Sequence, residues 1–82
     1  MRYFFHLRES GSLILDDEGL ELPGIDAVEK AAISAARSVI AAEAMAGRIA
    51  LGPVIEVRDE SGERVLDLRF RDAVDVVNAG AS

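Results

Sequence analysis

The sequence contains no cysteine and no tryptophan, one histidine, one lysine and two prolines. Without cysteine there is no disulfide, no thiolate metal ligand and no thiol nucleophile. A lone histidine and a lone lysine leave few ways to assemble a general base or a Schiff-base amine. Long hydrophobic runs are also missing. Tyr3 to Leu7 is too short for a signal-peptide core and is flanked by Arg2 and Arg8, and the stretch Ala31 to Ala46 is interrupted by Arg37 and Glu43. A soluble, cytoplasmic protein is therefore expected, with no membrane span. Positive charge is scarce: nine Lys plus Arg against fifteen Asp plus Glu give a net charge of −6. That balance opposes broad binding to a nucleic-acid backbone or an anionic membrane.

What is present is apolar: half of the 82 residues, enough for one modest core, so residues 1–82 read as a single domain. A chain of this size buries only about 60–65% of the surface that its unfolded form exposes, which makes added burial in an oligomer valuable.

Alternation in Arg2 to Leu7 predicts a strand, Glu9-Ser10-Gly11-Ser12 a turn, and Leu13-Ile14-Leu15 the returning strand. A one-residue bulge at Gly11 is expected to place Leu13 and Leu15 with Tyr3, Phe5 and Leu7, leaving Phe4, His6 and Ile14 on the opposite face. Asp16 to Gly24, rich in acids and glycine, predicts a loop. Asp26 followed by Glu29 suits a capping box, so the main helix is expected from there to about Ala46, closed by Gly47. Val28, Ala31, Ala32, Ala35, Val39, Ala42 and Ala46 form one narrow stripe at the helical period. Ile33 and Ile40 fall outside it and call for a second partner, either the C-terminal segment or another subunit.

Val54 to Arg58 and Arg64 to Phe70 predict a second hairpin, with Val57 opposite Leu66, Ile55 opposite Leu68, and Ser61-Gly62 as a two-residue turn. Asp72 is expected to cap a short helix from Ala73 to Asn78, ahead of a frayed Gly80-Ala81-Ser82 tail. The order ββαββ(α) gives an α+β fold: a four-stranded, mostly antiparallel sheet with one long helix on one face and a short C-terminal helix.

No catalytic, cofactor-binding or metal-binding motif emerges. There is no G-x-S-x-G elbow to employ His6, and no P-loop or H-E-x-x-H. The acids Asp16, Asp17, Glu18 and Glu21 do not follow the spacing of a calcium-binding loop. They belong to a region, Glu9 to Glu29, with seven acids and no base, which suits docking of a protein with a basic patch. Phe4 and His6, with Arg58 and Arg69 nearby, suggest a platform for stacking unpaired bases or another ligand, although Glu56 and Asp67 share that face.

The opening Arg2-Tyr3-Phe4-Phe5-His6, the Asp16-x-Glu18-Gly19-x-Glu21-x-Pro23 segment, the alanine-rich helix and Phe70-x-Asp72-Ala73-Val74 together resemble a family of small bacterial proteins, common in rhizobia and other alphaproteobacteria. It is known as a domain of unknown function. The resemblance spans nearly the whole chain and implies no activity, cofactor or catalytic residue.

The expected function is thus a small non-enzymatic interaction or scaffolding module that forms a homodimer through Phe4, His6, Ile14, Ile33 and Ile40. The alternative is a ligand or single-stranded nucleic-acid platform on the open sheet face.

Overall fold

The computed structural model describes residues 1–77. Strands β1 (Arg2–Glu9), β2 (Ser12–Ile14) and β3 (Leu20–Glu21) precede helix α1 (Ile25–Met45), and β4 (Val54–Asp59), β5 (Arg64–Arg69) and a 3-10 turn (Phe70–Asp72) follow it. The α+β reading holds: the sheet runs β2-β1-β4-β5, every pairing is antiparallel, and β3 adds to the same edge of β1 as β2. Among the described residues no helix is long and apolar enough to cross a membrane.

Helix α1 covers one face of the sheet. Val28, Ala32 and Ala36 are fully buried there with Tyr3, Ile55, Val57, Phe70 and Ala73. The alanines leave little between helix and sheet, so the two layers sit close. The buried helix face keeps Val28 and Ala32 of the expected stripe, with Ala35 and Val39 packed against the core, and is turned toward Ala36 and away from the exposed Ala42 and Ala46. That rotation brings Ile33 and Ile40 onto the shoulder of the core, partly buried. Beside them the Arg37 Nε–H donates to the Ala73 carbonyl at 2.7 Å, which ties the chain after β5 to α1.

Several local expectations are corrected. The first hairpin has no bulge: Glu9 pairs with Ser12 and Leu7 with Ile14 around a two-residue turn. Ser10 and Gly11 both have positive φ, 49° and 78°, as a type I′ turn demands. Directly opposed residues share a face, so Ile14 sits with Leu7 and away from Phe4 and His6. The second hairpin keeps Val57 opposite Leu66 and Ile55 opposite Leu68, but a register shift after Val57 sets Arg58 opposite Arg64. The loop is therefore Glu60-Ser61-Gly62, with Gly62 at φ 86° and the Asp59 carboxylate accepting from the Ser61 and Glu63 N–H groups.

Helix α1 starts one residue before Asp26. Gly24 is its N-cap, without a side-chain hydrogen bond, and Asp26 lies in the first turn, where its charge favours the helix dipole. The C-terminus is as expected: Gly47 at φ 91° and Arg48 donate to the Ala44 and Glu43 carbonyls, a Schellman closure. At the C-terminal end the helix expected from Ala73 is replaced by the 3-10 turn Phe70–Asp72, and Ala73 to Val77 are not helical. Phe70 explains this: its buried ring and its N–H bond to the Pro53 carbonyl at 3.0 Å fix the chain just after β5. Asp72 pairs with Arg69 at 3.0 Å. Asn78 and the tail Gly80-Ala81-Ser82 lie outside the described residues.

Candidate functional site

The face of the sheet away from α1 carries Phe4, His6 and Arg8 from β1, Glu56 and Arg58 from β4, and Asp67 and Arg69 from β5, as strand alternation and the observed register require. No second helix covers it among the described residues.

Its centre is Glu56, whose side chain is only 1% exposed. An isolated carboxylate with so little water around it would be costly, so it must be paired. Three guanidinium groups do this. Arg58 Nε donates to Oε2 at 2.6 Å, Arg64 Nη2 donates to Oε1 at 3.0 Å, and Arg8 Nη2 also donates to Oε1. Burial pushes the Glu56 carboxyl up, but the Arg58 hydrogen bond and the charges of Arg58, Arg64 and Arg8 outweigh it and hold the group below the ordinary glutamate range. Long arginine stems cover the face that a second layer of apolar side chains would otherwise occupy. Sequence reasoning placed Glu56 on this face but missed its burial, its pairing with Arg58 and the part played by Arg8 and Arg64. The available signal was an acid between the core residues Ile55 and Val57, with arginines within reach on three strands. Arg58 is engaged with Glu56, while Asp67 pairs with Arg64 at 3.4 Å.

The acidic connector is built into the same face. Between β2 and β3 the outer edge of β1 has no strand partner, and Asp16 fills the gap. Its Oδ2 accepts the Phe5 N–H at 3.0 Å, its Oδ1 accepts the Glu18 and Gly19 N–H groups at 3.2 Å each, and its own N–H donates to His6 Nδ1 at 3.0 Å. Partial burial pushes the Asp16 carboxyl up, yet the Phe5, Gly19 and Glu18 donors hold it below the ordinary aspartate range. With Nδ1 engaged by the Asp16 N–H, Nε2 is the ring's remaining hydrogen-bonding atom. Gly19, at φ 71°, lies so close that an added Cβ would sit 2.9 Å from the Phe4 ring, the Arg2 side chain and the Tyr3 carbonyl. Phe4 and His6, half-buried, are thus partly covered by the chain's own connector.

These contacts redistribute the proposed docking acids. Asp16 is used internally, Glu21 sits 3.7 Å from Arg2, and the Glu18 backbone carbonyl accepts from Arg2 at 2.7 Å. The Asp17 side chain and the Glu18 carboxylate remain at the surface, without an ion pair among the described residues. No group of three His, Asp or Glu side chains gathers as a metal site among the described residues. Of the five proposed interface residues, Phe4 and His6 share the open face, Ile33 and Ile40 pack on the helix side of the core, and Ile14 lies on edge strand β2. They do not form one surface.

No curated protein and no solved structure matches the chain. The family described as Domain of unknown function (DUF6894) does match, over residues 2–71, a span that takes in the β1 opening, the Asp16–Gly19 connector, α1 and the Glu56 cluster, and the chain belongs to that family.

Proposed function

We propose that this chain is a small non-enzymatic protein-interaction module that works in the cytoplasm and self-associates. The observation that carries the reading is edge strand β2 and the residue after it: Leu13, Ile14 and Leu15 are 45, 55 and 60% exposed in succession. Both sides of this strand are apolar, and it ends the sheet, so it offers a free backbone edge as well as greasy side chains. Such an edge is a template for pairing unless something covers it. A second copy is the occupant that a two-fold axis supplies most simply, because the same short strand then serves both sides of the contact. The small core supports the reading, since eight apolar residues are buried while ten large ones are exposed among the described residues. This keeps Ile14 of the expected interface, adds Leu13 and Leu15 beside it, and sets aside Ile33 and Ile40, which pack against the core, and Phe4 and His6, which lie on the open sheet face.

Light scattering and sedimentation across a micromolar concentration series test the proposal. A concentration-dependent dimer is expected, and Ile14→Lys shifts it to monomer while leaving the circular dichroism spectrum intact. A strict monomer at high micromolar concentration overturns it.

A further inference from the structure

We infer that the solvent side of the Glu56 cluster binds the phosphate group of a small ligand. The argument begins with donors. A carboxylate accepts but cannot donate, and Glu56 spends its oxygens on three guanidinium groups, each with five N–H donors. Arg58 gives one further hydrogen to the Gly62 carbonyl and Arg64 one to Asp67. Arg8 has no other hydrogen bond among the described residues, so most of its donors face elsewhere. The arginine side chains remain 43, 36 and 45% exposed for Arg8, Arg58 and Arg64, so those donors are within reach of a ligand.

His6 adds to the set. It lies directly across from Glu56 in the register, and because Nδ1 accepts from the Asp16 N–H, the Nε2 proton is the ring's remaining polar hydrogen. The constellation is thus rich in donors, with Asp67 the one further carboxylate that pairs with its arginines among the described residues. Three cations against the two carboxylates of Glu56 and Asp67 leave one local positive charge in a chain whose net charge is −6. Like charges brought this close repel one another, and Glu56 is what gathers them. Because β1, β4 and β5 each contribute one arginine, the rigid sheet holds the spacing before any ligand arrives, which lowers the ordering cost of binding. Guanidinium forks match phosphate oxygens in geometry as well as charge.

The test is a titration of the full-length chain, isotopically labelled, in low-salt buffer free of phosphate, followed by proton–nitrogen NMR. Inorganic phosphate and adenosine monophosphate are the two probes, distinguishing a bare anion from a phosphate ester with a ring. Saturable shifts centred on His6, Arg8, Arg58 and Arg64 are expected with at least one of them. Arg8→Gln weakens that affinity about tenfold or more, as loss of a charge-assisted pair should, while Arg48→Gln, whose guanidinium pairs with Glu43 and not with Glu56, leaves it unchanged. Should Arg8→Gln not fold, Arg64→Gln is read in the same way. Non-saturating shifts, equal loss in Arg48→Gln, or binding seen only with a thymidine oligonucleotide overturns the inference.

Discussion

Replacing Glu56 by alanine removes the one group that neutralises Arg8, Arg58 and Arg64 together. Charge-assisted hydrogen bonds contribute about 1.5–3 kcal/mol each when well desolvated. Here the carboxylate is covered but its partners are 36–45% exposed. Solvent screening therefore brings each pair down to about 0.5–1 kcal/mol, and the three together to roughly 1.5–3 kcal/mol. A domain of 82 residues has about 4–12 kcal/mol of total stability at ~0.05–0.15 kcal/mol per residue, so Glu56→Ala removes a large fraction of it. Its melting temperature should fall by roughly 10–20 °C. Urea unfolding followed by far-UV circular dichroism, at neutral pH and low salt, measures the loss directly. Glu56→Gln is the discriminating companion: it keeps the volume but presents an amide NH₂ to guanidinium donors, so its loss should approach that of Ala. If both variants lie within about 0.5 kcal/mol of the parent, the cluster is no more than a solvated surface network. If only Ala is destabilised, packing and not charge holds this face.

Three further expectations follow from the same geometry. Gly11→Ala and Gly19→Ala both place a side chain at positive φ, but Gly11 opens onto free space, whereas Gly19 abuts the Tyr3 carbonyl and Phe4; urea titrations should show about 1 kcal/mol lost at Gly11 and about 3 kcal/mol at Gly19, where the clash adds to the strain. Phe70→Ala should cost about 3–5 kcal/mol and leave little folded protein at 37 °C, while Phe70→Leu costs under about 1.5 kcal/mol by thermal melts. In acid, the Asp16 and Glu56 carboxyls, both held below their ordinary values of 3.8 and 4.5, contribute stability that is complete above those values and is lost as pH falls through the lowered folded ones. The urea midpoint should therefore drop steeply below about pH 4.5, and less steeply in Asp16→Asn and Glu56→Gln.

Much of the candidate face was legible in the residues. Alternation put Phe4, His6, Arg58 and Asp67 on one side of the sheet, and the register of Val57 with Leu66 followed from matching apolar pairs. What misled was one-residue detail. Ser10, a non-glycine residue, adopts positive φ and removes the bulge, which sends Ile14 to the other face. Gly62 takes the left-handed position of a three-residue loop, which shifts Arg64 to lie opposite Arg58. Both errors come from turns, where a single dihedral decides the register and period-two alternation then flips the side chains that follow.

The sequence alone determined the α+β class, the order of the main elements, the Gly47 closure of the helix and the absence of cysteine chemistry, because each depends on local periodicity, local backbone preference or bare composition. The helical period also placed Val28, Ala32, Ala35 and Val39 on the buried side of α1, and only the tertiary structure turned that side toward Ala36 and left Ala42 and Ala46 exposed. It alone showed that Asp16 completes the broken edge of β1 across eleven residues, and that Glu56 gathers arginines from three strands, the farthest 48 residues away. Such partners are set by strand order and register, and a buried carboxylate is stable only after those distant charges have been brought to it.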